Sequence, residues 1–219
     1  MCSRLAPSRE STPPNLANHA GERTLPAALS GFPQLAEFPD EVRHRNIVAA
    51  MNDRLPDMLR EGLRLVFVGT AASTRSAAAG HYYAHPGNRF WRALHEAGLT
   101  GRRYEPSEFR ALLPLGIGFT DLNKSEAGMD HQLTAGSIDV AAFRAKLARY
   151  RPVAIAFTSK KAASLFYGRP TGAIAPGRQV PDGCEIFVLP SPSGAASSAW
   201  SLDPWRELAA WFRSEQQQP

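Results

Sequence analysis

The hydrophobic positions along the chain predict short buried strands that alternate with amphipathic helices. Three apolar, β-branched runs indicate strands: "LRLVFVG" at 63–69, "VAIAFTS" at 153–159 and "EIFVLPS" at 185–191. Helical periodicity marks "NRFWRALHEAG", "DVAAFRAKLARY", "KKAASLFYG" and "DPWRELAAWF". Strands alternating with helices predict an α/β fold, a three-layer α/β/α sandwich with a short, mainly parallel central sheet.

The ends of several elements carry recognisable signals. The first strand is expected to end at Gly69, and the helix that follows it is expected to end at Gly98. Asp203, followed by proline, is the expected N-cap of the last helix. Residues 41–59 read as a further helix that is interrupted at Pro56.

The amino-terminal part of the chain differs from the rest in composition and charge. Residues 1–35 are rich in proline, serine and alanine without periodicity, which predicts a mostly disordered tail before a folded domain at 36–219. Residues 1–42 hold three arginines against five acids, a net of −2, so the total of +5 leaves +7 for the remainder. A basic folded body suits a polyanionic partner, although basic domains without a nucleic-acid partner are also common.

Composition excludes several classes of protein. No apolar run approaches the length of a transmembrane helix, and the first residues lack the apolar stretch of a signal peptide. Two cysteines, Cys2 and Cys184, provide neither a disulfide framework nor a four-thiolate cluster. We therefore expect a cytoplasmic, reduced protein without a membrane segment.

Ligands of parallel α/β sheets bind beyond the carboxyl ends of the strands, which directs attention to two strand exits. The first, Gly69 to Ser73, matches neither a Walker loop nor a dinucleotide fingerprint. Its small residues either form a tight turn or let backbone N–H groups approach a ligand closely. The second, "LPSPSG" at 189–194, is either a rigid polar wedge or an ordinary tight turn.

Polar and aromatic side chains crowd the segment "HYYAHPGNRFW". His81 and His85 have no nearby cysteine or carboxylate, so we predict no metal site. Tyr82 and Tyr83 suit stacking on a flat ligand or, alternatively, half-buried packing. His85 could instead cap the turn, and Asn88 could be the N-cap of the next helix.

Taken together, these segments resemble the uracil-DNA glycosylase superfamily. The resemblance extends over roughly residues 43–212 and rests on "LVFVG", "AHPGNRFW", "GIGFTDLNKSEAG" and "VLPSPSG". Within the superfamily the chain is similar to the mismatch-specific uracil/thymine-DNA glycosylases, with features of the hypoxanthine-DNA glycosylases. The resemblance implies excision of a base flipped out of DNA, with DNA containing uracil or another damaged base as partner. It implies no metal or redox cofactor, and we expect a monomer.

The first motif of the mismatch-specific branch, Gly-Ile-Asn-Pro-Gly, corresponds here to residues 69–73. Its asparagine, which positions water in that branch, is replaced by Ala71, so this role is empty. The resemblance assigns base contacts to the motif and nearby side chains: Gly69, Thr70, Ala71, Tyr83 and Asn88. Tyr83 matches the aromatic ring that stacks on the flipped base.

The second motif, Asn-Pro-Ser-Gly in that branch, corresponds to Ser191, Pro192, Ser193 and Gly194, which together with Ser73 and Arg75 are the expected DNA contacts. Ala195 stands where the branch has a bulkier wedge. A small wedge fills the gap left by a flipped base poorly, so we expect activity on single-stranded as well as duplex DNA.

The missing asparagine requires another catalytic group. The candidates are Asp121, Asn88 and His85, with His81 behind them; a carboxylate at Asp121 could orient water or stabilise positive charge on the sugar. Asp121 could also be only a helix cap or turn residue.

The sequence thus predicts a monofunctional DNA glycosylase acting on uracil, with a relaxed range of deaminated bases. The alternatives are a catalytically silent binder of damaged DNA, favoured by Ala71, and an unrelated nucleotide-binding or hydrolytic α/β protein.

Overall fold

The computed structural model describes residues 53–134 and 136–215. The expected tail, residues 1–35, and most of the expected helix at 41–59 lie outside this part of the chain. Of that helix, Asp53 to Leu59 are described and are not helical; Met58 instead forms an isolated antiparallel bridge with Phe119.

A five-stranded sheet forms the centre of the described structure. Its strands are β1 (Leu65–Ala72), β2 (Ile117–Ala127), β3 (Ala154–Phe157), β4 (Gly177–Arg178) and β5 (Glu185–Val188). The spatial order is β2-β1-β3-β5-β4, and only the β4–β5 pair is antiparallel. The predicted α/β class with a mainly parallel sheet is confirmed.

Five α-helices connect and cover the strands: α1 (Thr74–Ala79), α2 (Phe90–Glu96), α3 (Val140–Tyr150), α4 (Lys160–Tyr167) and α5 (Asp203–Ser214). Short 3₁₀ segments occupy Pro106–Leu112, Asp130–Gln132, Thr171–Ala173 and Gly194–Ala199. As predicted, α2 is followed by Gly98, whose φ of 77° ends the helix in the left-handed region.

Both faces of the sheet are buried, as the uniformly apolar strands require. Successive side chains of β1 alternate between two core clusters: Leu65 and Phe67 pack on one side, Val66 and Val68 on the other. On the first side Phe67 meets the ring of Phe90 edge to face, with ring centroids 5.0 Å apart. This arrangement fixes β1 at the centre of the sheet.

Two predicted boundaries were wrong, and the longest strand was not predicted at all. Strand β1 does not end at Gly69 but continues to Ala72, because β2 keeps pairing with it. The longest strand, β2, was not predicted, because polar residues follow its apolar start. Asp203 is the first residue of α5 rather than its N-cap; Leu202 holds that position, and the Asp203 N–H donates to Ser201 Oγ.

No helix among the described residues is long and apolar enough to span a membrane.

Candidate active site

A cavity of about 610 Å³ opens at the carboxyl ends of four strands. Strand β1 contributes its last residues, β2 contributes Asp121 and the loop that follows the strand, and the segments that follow β3 and β5 close the other side. This is the position at which parallel α/β sheets bind ligands. All five residues predicted to bind the base line this cavity: Gly69, Thr70, Ala71, Tyr83 and Asn88. Asp121 and four predicted DNA contacts line it as well: Ser73, Ser191, Pro192 and Ser193.

The first motif forms one wall of this cavity with its backbone. Strand β3 pairs with β1 only as far as Val68, because β3 ends at Phe157. From Gly69 to Ala72 the edge of β1 that faced β3 has therefore lost its strand neighbour, while the opposite edge stays paired with β2. The open edge presents backbone N–H and C=O groups to a ligand, which the small side chains do not obstruct.

Asp121 lies beside this wall, at the point where β2 pairs with Gly69. A Cβ atom added to Gly69 would lie 2.3 Å from Asp121 Oδ1, so only glycine leaves room for the carboxylate. The side chain is buried, with a residue exposure of 5%, and its Oδ2 has no hydrogen-bond partner among the described residues. Asp121 lies inside β2 and is therefore neither a helix cap nor a turn residue.

A partly buried network of charges lies next to Asp121. Lys124 Nζ is 3.8 Å from Asp121 Oδ2, beyond hydrogen-bond range, and 2.9 Å from Asp57 Oδ1. Asp57 is bound further by Lys146 Nζ at 2.5 Å and by the hydroxyl of Thr120, which donates at 2.7 Å. Lys124 thus forms its shorter ion pair with Asp57, and its contact with Asp121 is a weak one.

The pKa values of the two aspartates are shifted in opposite directions. Burial raises the pKa of Asp121 to about 6, and the charge of Lys124 offsets this only in part. Burial acts on Asp57 in the same direction, but the charges of Lys124 and Lys146 and their hydrogen bonds outweigh it, so the pKa of Asp57 is lowered. Asp57 therefore stays ionised, while Asp121 changes protonation near neutral pH, as a general base must.

Tyr83 forms a rigid aromatic surface in the cavity. Its ring stacks on Phe90 with centroids 3.8 Å apart and an angle of 10°, so one face is covered. Its hydroxyl donates to Thr158 Oγ1 at 3.1 Å, and that hydroxyl donates to the carbonyl oxygen of Val68 at 3.3 Å. The backbone of Tyr83 has a φ of 55°, an uncommon value for a residue with a side chain. Tyr82, by contrast, is buried in the core.

Asn88 also lines the cavity, with its side chain partly engaged. Its Oδ1 accepts a hydrogen bond from the Phe90 N–H at 2.9 Å, at the start of α2. The expected capping role is therefore real, although Arg89 occupies the N-cap position itself. No acceptor for the Asn88 Nδ2 group is found in the described part of the chain, so this group can donate to a ligand.

The two loop motifs meet at the mouth of the cavity. The Arg89 N–H donates to the carbonyl oxygen of Pro192 at 2.8 Å. A Cβ added to Gly194 would lie 3.2 Å from the carbonyl oxygen of Gly87, so this glycine permits the close approach. The segments "HPGNRFW" and "SPSG" therefore act as one preformed rim.

Four predicted residues are not part of the cavity lining: Gly194, which lies at the rim, and His85, His81 and Arg75. His85 is exposed, and its Nδ1 accepts from the Gly87 N–H at 3.0 Å, as expected of a turn-capping histidine. His81 and Arg75 line a separate open groove beside α1. Within 53–134 and 136–215, no group of three or more histidine, cysteine, aspartate or glutamate side chains is arranged to hold a metal ion.

Sequence reasoning missed the exit of β3. Thr158 supports Tyr83, and Ser159 caps α4 by accepting from the Ala162 N–H at 3.0 Å. Lys160 and Lys161 follow at the cavity, where their charges suit phosphates. The signal was present in "AFTSKK", a third strand end followed by polar residues, but only two exits were considered. Met129 and His131, beyond β2, were missed as well.

Comparison with known proteins gives a family match and a similar fold. Residues 56–213 match the family described as the uracil DNA glycosylase superfamily. The fold is similar to the solution structure of a protein from Methanosarcina acetivorans that is described as a candidate uracil DNA glycosylase. The sequence identity is 25% and the TM-score 0.52, and the match covers 74% of this chain and 97% of the other.

Proposed function

The chain belongs to the uracil DNA glycosylase superfamily, and from this membership we propose that it is a monofunctional DNA glycosylase that excises uracil from DNA. We propose further that it accepts other deaminated bases and that it hydrolyses the N-glycosidic bond without a covalent enzyme intermediate. The observation that carries the proposal is the buried Oδ2 of Asp121, which has no hydrogen-bond partner among the described residues and lies on β2 opposite Gly69.

In the proposed reaction the C1′–N bond breaks, and its electron pair leaves with the base. Positive charge develops on the sugar and negative charge on the base oxygens, so each needs a complementary group. The ionised carboxylate of Asp121 stabilises the sugar cation and accepts the proton of the water that attacks C1′. We propose that the free Nδ2 of Asn88 and the backbone N–H of Thr70, on the open edge of β1, donate to the departing base.

The occupied Oδ1 of Asn88 favours Asp121 as the group that orients the water. An amide positions and activates a nucleophilic water by accepting its hydrogen bond, and this oxygen already accepts from the Phe90 N–H. The carboxylate has a free acceptor and can also take up a proton. His85, in its exposed turn, has no part in this proposal.

Uracil-containing duplex and single strands, incubated with the protein and then treated with alkali, test the activity. We expect strand breakage at uracil that is lost in Asp121→Asn and weakened in Asn88→Ala. Asn88→Asp is the matched control, since aspartate caps a helix about as well as asparagine. Near-parental rates in both Asp121→Asn and Asn88→Ala would remove both residues from the mechanism.

A catalytically silent binder of damaged DNA is the second candidate, and Ala71 favours it. The same experiment separates the two functions. Selective binding of uracil-containing or abasic DNA without any strand breakage would identify a binder, whereas breakage at uracil identifies an enzyme.

A further inference from the structure

Met129 is an apolar side chain in an unusual position. Among the described residues four large apolar side chains are exposed, namely Leu115, Met129, Val153 and Val180. Of these four, Met129 alone lines the cavity, and half of its surface (50%) is open to solvent. Neither core packing nor the chemistry proposed above accounts for an exposed methionine there.

The loop that carries Met129 is held in place by hydrogen bonds. The Gly128 N–H donates to the carbonyl oxygen of Ala72 at 2.9 Å, which attaches the loop to the end of β1. The Met129 N–H donates to Gln132 Oε1 and the Gln132 N–H donates back to the Met129 carbonyl oxygen, both at 2.8 Å. The side chain is thus exposed on an ordered backbone, and little conformational freedom of that backbone remains to be lost on binding.

The other rim of the cavity lacks a comparable group. Ala195, on the segment after β5, is exposed and offers only a methyl group. Strands β2 and β5 are separated by β1 and β3, so their exits lie about 14 Å apart at the usual strand spacing. A nucleotide that enters the cavity passes between these rims, and the large apolar side chain is on the β2 side.

We propose that Met129 enters the base stack of duplex DNA at the place that the flipped nucleotide leaves. Flipping leaves a gap between base pairs, and apolar side chains, methionine among them, insert at such steps in proteins that deform DNA. The adjacent carboxylate of Asp130 repels phosphates, so this part of the loop faces the bases rather than the backbone. This proposal rests on the proposed function and makes Met129 a determinant of duplex recognition.

Matched single- and double-stranded uracil substrates test the proposal under single-turnover conditions. Because a methyl group cannot replace the lost stacking, we expect Met129→Ala to slow cleavage of the duplex by about tenfold or more. The rate on the single strand should stay within about twofold, since no gap forms there. Met129→Leu is the matched control and should retain the parental ratio of the two rates.

A second measurement does not depend on catalysis. A duplex with an abasic-site analogue carries 2-aminopurine next to that site, and its fluorescence reports unstacking when the protein binds. The parent and Met129→Leu should change the fluorescence, and Met129→Ala should lose most of the change. Equal rate losses on both substrates, or no loss on either, would overturn the proposal, as would an unchanged fluorescence response in Met129→Ala.

The two measurements separate this proposal from the proposed function. If the parent cleaves no uracil substrate, the glycosylase assignment fails, while the abasic duplex still decides whether Met129 enters the stack. If the parent cleaves uracil and Met129→Ala behaves like the parent in both assays, the glycosylase proposal is supported and the insertion of Met129 into the base stack is rejected.

Discussion

The ends of β1 and β2 lie side by side in the sheet but contribute to the cavity in different ways. The end of β1, Gly69 to Ala72, offers backbone groups and empty space, and at Ala71 no polar side chain. Strand β2 brings a buried carboxylate, Asp121, opposite the start of this stretch, with an oxygen that has no hydrogen bond and a raised pKa. The two ends are complementary, because the bare Gly69 creates the room that the carboxylate occupies.

Strand β1 thus contributes space and backbone groups to the cavity, and its neighbour β2 contributes the ionisable group. A buried carboxylate without a hydrogen bond lowers the stability of the fold, so its presence calls for a reason outside packing. Perturbed carboxylates of this kind concentrate at functional sites. Substitutions can therefore alter the acid of β2, the aromatic ring and the neighbouring positive charge separately.

Removing the acid from the end of β2 should have the largest effect. Asp121→Asn keeps the volume but loses the proton acceptor and the negative charge, so single-turnover cleavage should fall by about 10²-fold or more. Binding to uracil DNA should persist, because loss of a negative charge cannot weaken the attraction of phosphates. A near-parental rate would show that the chemistry does not reside at β2.

The same substitution should stabilise the protein at neutral pH. The folded-state pKa of Asp121, about 6, lies above its ordinary value of 3.8, so folding favours the protonated form. The penalty for ionising Asp121 appears as pH rises through this window and is complete above about pH 6. Urea unfolding of Asp121→Asn should thus show a gain of about 1–3 kcal/mol at pH 7.5 that shrinks as pH falls and disappears at about pH 3, below both pKa values.

Substitution of Tyr83 tests whether its ring stacks on the base in the cavity. Tyr83→Ala removes the ring and should cost about 1–3 kcal/mol in binding of the flipped base. Tyr83→Phe is the control, since it keeps the stack on Phe90 and loses only the hydrogen bond to Thr158. Equal activity of Tyr83→Ala and the parent on uracil DNA would reject the stacking role.

Lys124 tests whether the network next to β2 sets the protonation of Asp121. Lys124→Met removes a positive charge that favours the ionised acid, so the pKa of Asp121 should rise further above 6. Cleavage at pH 7 should then fall by about two- to tenfold and recover at higher pH. A uniform loss at all pH values would instead indicate a purely structural role, and thermal unfolding at each pH controls for instability.

The smallest effect is expected from the amino-terminal segment. Residues 1–42 carry −2 of the total charge of +5, so phosphate contacts should come from the remaining +7. Deleting residues 1–30 should leave both the affinity for DNA and its steep decrease with salt unchanged. Loss of binding with an intact fold would assign DNA contact to this segment.

Much of the fold could be predicted because apolar runs and helical stripes report burial directly. The strands β1, β3 and β5 and the helices α2 to α5 all follow apolar patterns of this kind. Strand β2 was missed because only its first half is apolar and polar residues follow. The site was predicted only in part: motifs identified the exits of β1 and β5, the strand end at Thr158 was present in the sequence but not considered, and Met129 carries no signal in the local sequence.

By itself the sequence determined the α/β class, the family resemblance and the absence of a polar group at Ala71, since these depend on local pattern and residue identity. Only the tertiary structure decided which side chain could replace that group. From the sequence Asp121 was only slightly favoured over Asn88, with His85 third. Strand pairing places Asp121 against Gly69, and the turn leaves His85 in solvent. Burial and the competition of Asp57 for Lys124 then leave Asp121 Oδ2 without a hydrogen bond, and neither effect exists until distant segments of the chain meet.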